Sequence, residues 1–338
     1  MTGSFWGYFL IFVGALSGCM FLTPLALRLA LSLGIYDQPS SRKIHKIPIP
    51  NVGGVAIVTA FYIAVLFSSA ISSPDAGTGQ MNLVLGLALL LAFVGLIDDL
   101  RGISPLQKTL VQIFCAICIC FAGDGVSIFQ IDILDWMVTI FWIVGITNAF
   151  NLLDNMDGLA AGLAGIASLG FFVVAATNDQ YLVGSLAVAL AGCSLGFLKR
   201  NHHPAQIFMG DGGSLFLGFL LSYIGLKLRF ESPISRSFLV PITICAVAIV
   251  DTTVVVYSRL LRRVSPFQGG QDHLSHRLLK LGFSIPSSVF LIYFLALIVT
   301  VASIFISKSG SIVAWILLIV NWLVLLLLAI RALQVKIE

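Results

Sequence analysis

Long apolar runs separated by short polar breaks are the first regularity of the chain. Eleven windows are long and apolar enough to cross most or all of a bilayer. They run Phe5–Leu27, Gly53–Ile71, Asn82–Ile97, Leu106–Phe121, Trp136–Phe150, Leu159–Ala176, Tyr181–Leu198, Ser214–Leu228, Phe238–Tyr257, Ser287–Ile306 and Ser311–Ile330. The third is short. The pattern predicts an all-α polytopic membrane protein with ten to eleven transmembrane helices, about eleven by these windows, in one integrated domain over 1–338. Gly125 to Leu134 alternates apolar and polar residues for part of its length and predicts a small outer strand or hairpin. No internal repeat is evident.

Composition agrees with this class. The chain is 59% hydrophobic and 10% charged, with mean hydropathy +1.04, whereas soluble domains carry about 25% charged residues. No nucleic-acid patch is present. No basic residue precedes the first apolar run, so a cleaved signal peptide is not expected. The cysteines lie in apolar segments and read as small hydrophobes. With the N-terminus outside, fifteen of the nineteen Lys and Arg fall on the inner side, and only Lys227, Arg229, Arg236 and Lys308 fall outside. That asymmetry predicts N-out, C-in and cytoplasmic catalytic loops.

The polar residues of interest collect on that inner side. Asn148 to Gly158 reads N-A-F-N-L-L-D-N-M-D-G between two apolar runs. Continued as a helix, it puts Asn148, Asn151, Asp154, Asn155 and Asp157 on one half of the wheel. Such an oxygen-rich face suits a hard cation and a phosphate, and intramembrane carboxylates are functional by default. Asp98 and Asp99 end the third span, about 100° apart, so one can face a cavity while the other braces it. A carboxylate there opposes the helix macrodipole, which favours a functional role, with Lys108 near enough to be a counter-ion or phosphate contact. Asp211 sits among glycines at a turn into a helix N-terminus, a place that favours anions and close ligand approach.

The remaining inner loops are basic. Arg42, Lys43, His45 and Lys46 either hold an anionic headgroup or polyprenyl phosphate or simply anchor the loop. The last loop carries Arg262 and Arg263, then His273 and His276 at i, i+3, followed by Arg277; phosphate contacts suit them. Asp251 is either a site residue or a buried partner of Arg259 or another cation.

Asp98-Asp99, N-L-L-D-N-M-D-G at 151–158, F-M-G-D-G-G-S at 208–214 and H-L-S-H-R-L at 273–278, in that order, with R-K-I-H-K-I-P-I-P-N-V-G-G at 42–54 ahead of them, resemble the polyprenyl-phosphate N-acetylhexosamine-1-phosphate transferases. The likeness covers nearly the whole chain and is nearer the WecA/TagO-type branch than the MraY-type peptidoglycan enzymes. The resemblance implies a multi-pass enzyme of the bacterial inner membrane with its active site on the cytoplasmic side. Such an enzyme moves N-acetylhexosamine-1-phosphate, GlcNAc-1-phosphate above all, from a UDP-sugar to undecaprenyl phosphate and releases UMP, using Mg²⁺ or Mn²⁺. The product would start cell-envelope glycan synthesis. The implied partners are UDP-N-acetylhexosamine, undecaprenyl phosphate and the bilayer, with a homodimer left open.

By motif, Asp98 and Asp99 match the family's catalytic pair. Asn151, Asp154 and Asp157 match its asparagine–aspartate helix, and Asp211 matches its main metal ligand. The resemblance thus implies Asp98, Asp99, Asp154 and Asp157 as catalytic and Asn151 and Asp211 as metal-binding. Lys43, His45, Lys108, Asn148, Arg262, Arg263, His273, His276 and Arg277 are expected to bind substrate. Asp98 is the preferred group to deprotonate or orient the lipid phosphate. Ser275 departs from the usual H-x-H-H box and puts the sugar and diphosphate contacts in question. A secondary transporter of an anion or nucleotide sugar is the alternative; transfer from a UDP-sugar into an organic-extractable lipid separates the two.

Overall fold

The computed structural model describes residues 5–39, 47–71, 78–229, 234–266, 269–309 and 311–335. These hold helices α1 (Phe5–Leu33), α2 (Gly53–Ile71), α3 (Thr78–Arg101), α4 (Pro105–Phe121), α5 (Asp132–Leu153), α6 (Leu159–Ala176) and α7 (Tyr181–Asn201). They continue with α8 (Gly210–Lys227), α9 (Ile234–Ile244), α10 (Ala246–Leu261), α11 (Leu274–Lys280), α12 (Ile285–Lys308) and α13 (Ser311–Leu333). No β-strand occurs among the described residues; one antiparallel bridge joins Asp37 and Ile49.

The all-α class holds, and the count of about eleven spans is not confirmed. Among the described residues seven helices are long and apolar enough to cross a membrane, or eight if α9 and α10, bent by 70° about a short break, form one broken span. Two of the apolar windows fall outside this set for local reasons. α4 has only 17 residues, and α8 opens with the polar run Gly-Asp-Gly-Gly-Ser. The third span differs the other way. α3 continues through Arg101, so Asp98 and Asp99 occupy its last turn.

The expected strand at Gly125–Leu134 is absent, and α5 begins at Asp132 instead. The donors of this loop are taken by α5 side chains, not by a partner strand. Asp135 Oδ1 accepts from the Ile128 and Phe129 N–H groups, each at 2.9 Å, and Thr139 Oγ1 accepts from Val126 N–H at 3.0 Å.

α8 is the central post of the bundle. Every residue from Gly212 to Leu226 is buried, as a helix apolar on all sides requires. It packs on α3 and α5, with α2 against its first turn. Those approaches have no space for side chains. A Cβ on Gly54 of α2 would run into the Gly213 backbone, and one on Gly95 of α3 into the backbone of Asp211 and Gly212. α6, α7 and α1 form the adjoining layer. Large exposed apolar side chains on α1, α12 and α13, such as Phe21, Phe290 and Leu327, suit contact with lipid.

At its C-terminal end α8 is tied to the segment after α4. Buried Asp124 accepts from Tyr223 Oη at 2.8 Å and Lys227 Nζ at 2.6 Å. Removing one member of a buried pair strands the other. Lys227 retains some access to water, which reduces that cost. Asp124→Ala is therefore expected to destabilise by about 2 kcal/mol. Thermal unfolding in detergent should show a lower Tm, with a smaller loss in Asp124→Asn.

Candidate active site

The site forms where the ends of α3 and α5 meet the starts of α4 and α8. A helix start leaves its first N–H groups without intrahelical partners. Here α3 supplies them: Asp99 Oδ1 accepts from Asp211 N–H at 2.9 Å and Oδ2 from Gly212 N–H at 3.1 Å. Gly210 permits this contact. Its φ is +71°, and a Cβ there would stand 2.5 Å from Asp99 Oδ2.

Asp98 turns to the other side. Its Oδ1 accepts from Ile103 N–H at 2.6 Å and its Oδ2 from Lys108 Nζ at 2.6 Å. Ser104 and Gln107 form a reciprocal capping box at the start of α4 and so fix the helix that carries Lys108. The same ammonium donates to Asp211 Oδ2 at 2.5 Å. Asp211 Oδ1 accepts from Asn151 Nδ2 at 3.0 Å, and that amide also donates to Ser214 Oγ at 2.9 Å. The structure thus brings together Asp98, Asp99, Lys108, Asn151 and Asp211.

The donor set fits a hard cation. A cationic ammonium already bridges two carboxylates, and Asn151 spends its NH₂ on Asp211 and Ser214, leaving Oδ1 as a neutral oxygen. Among the described residues no group of three or more His, Cys, Asp or Glu side chains gathers as a metal cage. Mg²⁺ needs few protein oxygens when waters and substrate phosphates complete its shell.

The stretch after Asn151 does not continue as one helical face. α5 ends at Leu153 and Asp154 leaves helical geometry, so only Asn148 and Asn151 share the expected face within the helix. A tight turn reaches Gly158, at φ +78°, and α6 follows. Two other helices and the loop after α7 hold this turn. Asn201 Oδ1 accepts from Gly158 N–H at 3.1 Å, and Tyr293 Oη donates to Gly158 O. Asp157 Oδ2 accepts from Ala205 N–H at 3.0 Å and lies 2.7 Å from His203 Nδ1. Burial, reinforced by the Asp211 charge, pushes Asp154 up to about 7. Asn148 lies further up α5, where its Nδ2 donates to Gln112 Oε1 at 2.5 Å.

The histidine loop has its own frame. Asp272 accepts a two-pronged contact from Arg259 at 2.7–2.8 Å and a further bond from Arg262 at 2.7 Å. Burial alone would raise the Asp272 carboxyl, but the Arg259 hydrogen bonds and the surrounding positive charge hold it below its ordinary value. Arg277 is buried, with its guanidinium on Asp272 O, Ser258 Oγ, Ala332 O and Val335 O. Arg263 is exposed with φ +58°. Asp251 pairs with neither Arg259 nor another arginine: its carboxylate meets His273 Nδ1 at 2.7 Å and accepts from Leu274 N–H at 2.7 Å. Burial, with the His273 ring beside it, pushes His276 down to about 4, so it is neutral at neutral pH. Ser275 is fully buried and donates to Asn155 Oδ1 at 2.7 Å, which joins this loop to the Asp154–Gly158 turn.

Lys43 and His45 lie outside the described residues, as do Arg42 and Lys46. The sequence pattern alone does not single out Asp272, Asn201, Gln112, Ser214 or His203 as organising residues. Only Ser214 had a visible signal, as the last residue of the glycine-rich motif.

Asp99→Ala should free two buried N–H groups at the start of α8, a loss of about 1–2 kcal/mol by analogy with helix caps. Asp99→Asn, which keeps one acceptor oxygen, should recover part of it. Thermal unfolding of the three proteins in one detergent checks the order.

Comparison with known proteins places these carboxylates in a family context. The sequence profile described as glycosyl transferase family 4 matches residues 81–229, the stretch from α3 to the end of α8. The chain is 35% identical over 330 residues to a probable undecaprenyl-phosphate N-acetylglucosaminyl 1-phosphate transferase of Bacillus subtilis, covering 95% of this chain and 90% of that protein. It is 34% identical to a decaprenyl-phosphate N-acetylglucosaminephosphotransferase of Mycolicibacterium smegmatis, over 78% of this chain and 73% of the relative. A phospho-N-acetylmuramoyl-pentapeptide-transferase of Streptococcus uberis is also 34% identical, but over only 54% of this chain and 60% of its own length. Because the first likeness runs almost end to end and the profile spans the helices that carry Asp98, Asp99, Asn151 and Asp211, the chain belongs to glycosyl transferase family 4.

Proposed function

We propose that the protein transfers N-acetylglucosamine-1-phosphate from UDP-N-acetylglucosamine to undecaprenyl phosphate and releases UMP. The observation that carries this reading is the Lys108 ammonium bridging Asp98 and Asp211 beside the Asn151 amide. It is a compact charged centre where the ends of four helices meet, and it suits two phosphate-bearing substrates, one lipid and one water-soluble. The names of the relatives support the acceptor and the sugar. The distribution of Lys and Arg supports placing this centre on the cytoplasmic side of the bacterial inner membrane.

In the proposed reaction an oxygen of the lipid phosphate attacks the β-phosphorus of the UDP-sugar. The bond from that phosphorus to the bridging oxygen breaks, and UMP departs with the bonding pair. Both oxygens of Asp98, Asp99 and Asp211 already accept hydrogen bonds. This favours direct displacement over an aspartyl-phosphate. Asp98 is then better suited to holding Lys108 than to taking a proton. Asp154, raised to about 7, is the better-matched acceptor for the proton of a monoanionic lipid phosphate. Lys108 orients phosphate. A Mg²⁺ held by Asp211 and Asn151 Oδ1 would supply charge to offset the repulsion between the two substrates and to stabilise departing UMP.

Transfer of radiolabelled sugar from UDP-N-acetylglucosamine into an organic-extractable lipid tests the reading. Nucleotide-sugar uptake into vesicles with no lipid product would favour a transporter instead.

The pH dependence has a definite sign. Asp154 ionises as pH rises through about 7, so the rate should climb between about pH 6 and about pH 8. Asp154→Asn should lose roughly 10²–10⁴-fold and flatten that limb. Folding responds in the opposite direction. The carboxyl stays protonated in the native state after the unfolded chain has ionised, so stability contributed by this group falls as pH rises from about 4 to about 7.

Metal dependence gives a separate check. Chelation should abolish transfer, and Mg²⁺ or Mn²⁺ should restore it. Asp211→Asn and Asn151→Ala should each raise the metal concentration needed, and the double variant should lose far less than the product of the single losses. Multiplicative losses would assign the two residues to different tasks.

A further inference from the structure

The buried carboxylate of Asp251 has no part in the centre described above, yet both of its oxygens are committed to the histidine loop. Oδ2 lies 2.7 Å from His273 Nδ1, and Oδ1 accepts from Leu274 N–H at 2.7 Å. The His273 and Asp251 side chains are almost wholly buried, at 4% and 2% relative exposure. A carboxylate accepts, so Nδ1–H is the donor, and this fixes both the ring plane and the choice of nitrogen. His273 Nε2 makes no hydrogen bond among the described residues. A carboxylate that takes one imidazole nitrogen and leaves the other open is a recurrent way of aiming a histidine.

Residues on both sides of His273 are held by side-chain contacts. Asp272 is clamped by Arg259 and Arg262, and Arg277 ties the next turn to the end of α13. Ser275 links it to Asn155, next to Asp154. His276 stands 5.8 Å from His273, ring centre to ring centre. Arg262 keeps 37% exposure while it touches Asp272, the residue before His273.

We infer that Asp251 is a positioning residue that aims His273 Nε2 at the diphosphate of the donor nucleotide. It does not touch substrate. It holds the ring in one orientation, from which Nε2 donates to a phosphate oxygen when the ring carries both protons. This inference rests on the proposed nucleotide-sugar reading, and it concerns donor binding rather than the displacement step.

UDP and uridine are the probes, titrated calorimetrically into the full-length protein in detergent, with ¹⁵N-histidine spectra recorded in parallel. Wild-type protein should show His273 protonated at Nδ1, and UDP should shift its Nε2 resonance where uridine does not. Asp251→Asn keeps an acceptor for Leu274 N–H. It should weaken UDP binding about tenfold, leave uridine binding unchanged and move Tm by no more than a few degrees, and Asp251→Glu should recover most of the loss. His273→Ala should weaken UDP to the same extent, and adding Asp251→Asn to it should cost nothing more.

An unmoved His273 Nε2 signal on adding UDP would overturn the inference, as would multiplicative losses in the double variant. The spectra of wild-type protein and the His273→Ala titration test the aiming of Nε2 even if the Asp251 variants fail to fold. Lipid transfer without a His273 response would defeat this inference alone. A His273 response without lipid transfer would defeat the proposed function and leave the positioning role standing.

Discussion

The arrangement depends on one carboxylate meeting one helix start. Asp99, at the end of α3, accepts the Asp211 and Gly212 N–H groups at the start of α8. At a helix start those donors have no partner within α8 itself. The positive end of the α8 dipole also offsets a charge that the C-terminal end of α3 disfavours. Two placements that are each unfavourable alone become favourable together. The glycines at 54, 95 and 210 are the steric condition for this, because any side chain there would hold α2, α3 and α8 apart.

Around that junction the carboxylates are kept compatible by unlike means. Asp99 has backbone N–H groups, Asp98 and Asp211 have the Lys108 ammonium, and Asp211 also has the Asn151 amide. Asp154, on the turn beyond α5, shifts its proton affinity instead. Similar side chains in one small volume thereby meet different partners. α8 is held at its other end by Asp124 through Tyr223 and Lys227, so the helix that carries Asp211 has little freedom to slide.

The histidine loop is built on a separate frame and joined to the turn after α5 by the side-chain bond from Ser275 to Asn155. Its arginines divide their labour. Arg259 and Arg277 are buried and occupied by the protein itself, while Arg262 is partly exposed beside Asp272. The position where this sequence departs from the usual histidine box is therefore the seam between two frames. Its small hydroxyl reaches the turn that carries Asp154, where an imidazole would need more room.

Much of this was legible in the chain. The apolar windows at Gly53–Ile71 and Leu159–Ala176 coincide with α2 and α6, because burial in lipid or among helices demands unbroken apolar residues whatever their neighbours. The gathering of the acidic motifs was legible for a similar reason: polar groups costly in lipid must collect where helices end. Tertiary structure decided the rest. Helical periodicity could not foresee that α5 would stop at Leu153, since Gly158 is free to adopt positive φ and Asn201 and Tyr293 reach the turn from distant helices. Nor could it pair Asp251 with His273, 22 positions apart, or give Arg259 to Asp272. Which span is cut short, and which oxygen of each aspartate meets which donor, depends on how helices approach across the bundle. The contact from Asp99 to Gly212 joins residues 113 positions apart in the chain, and a local pattern carries no record of it.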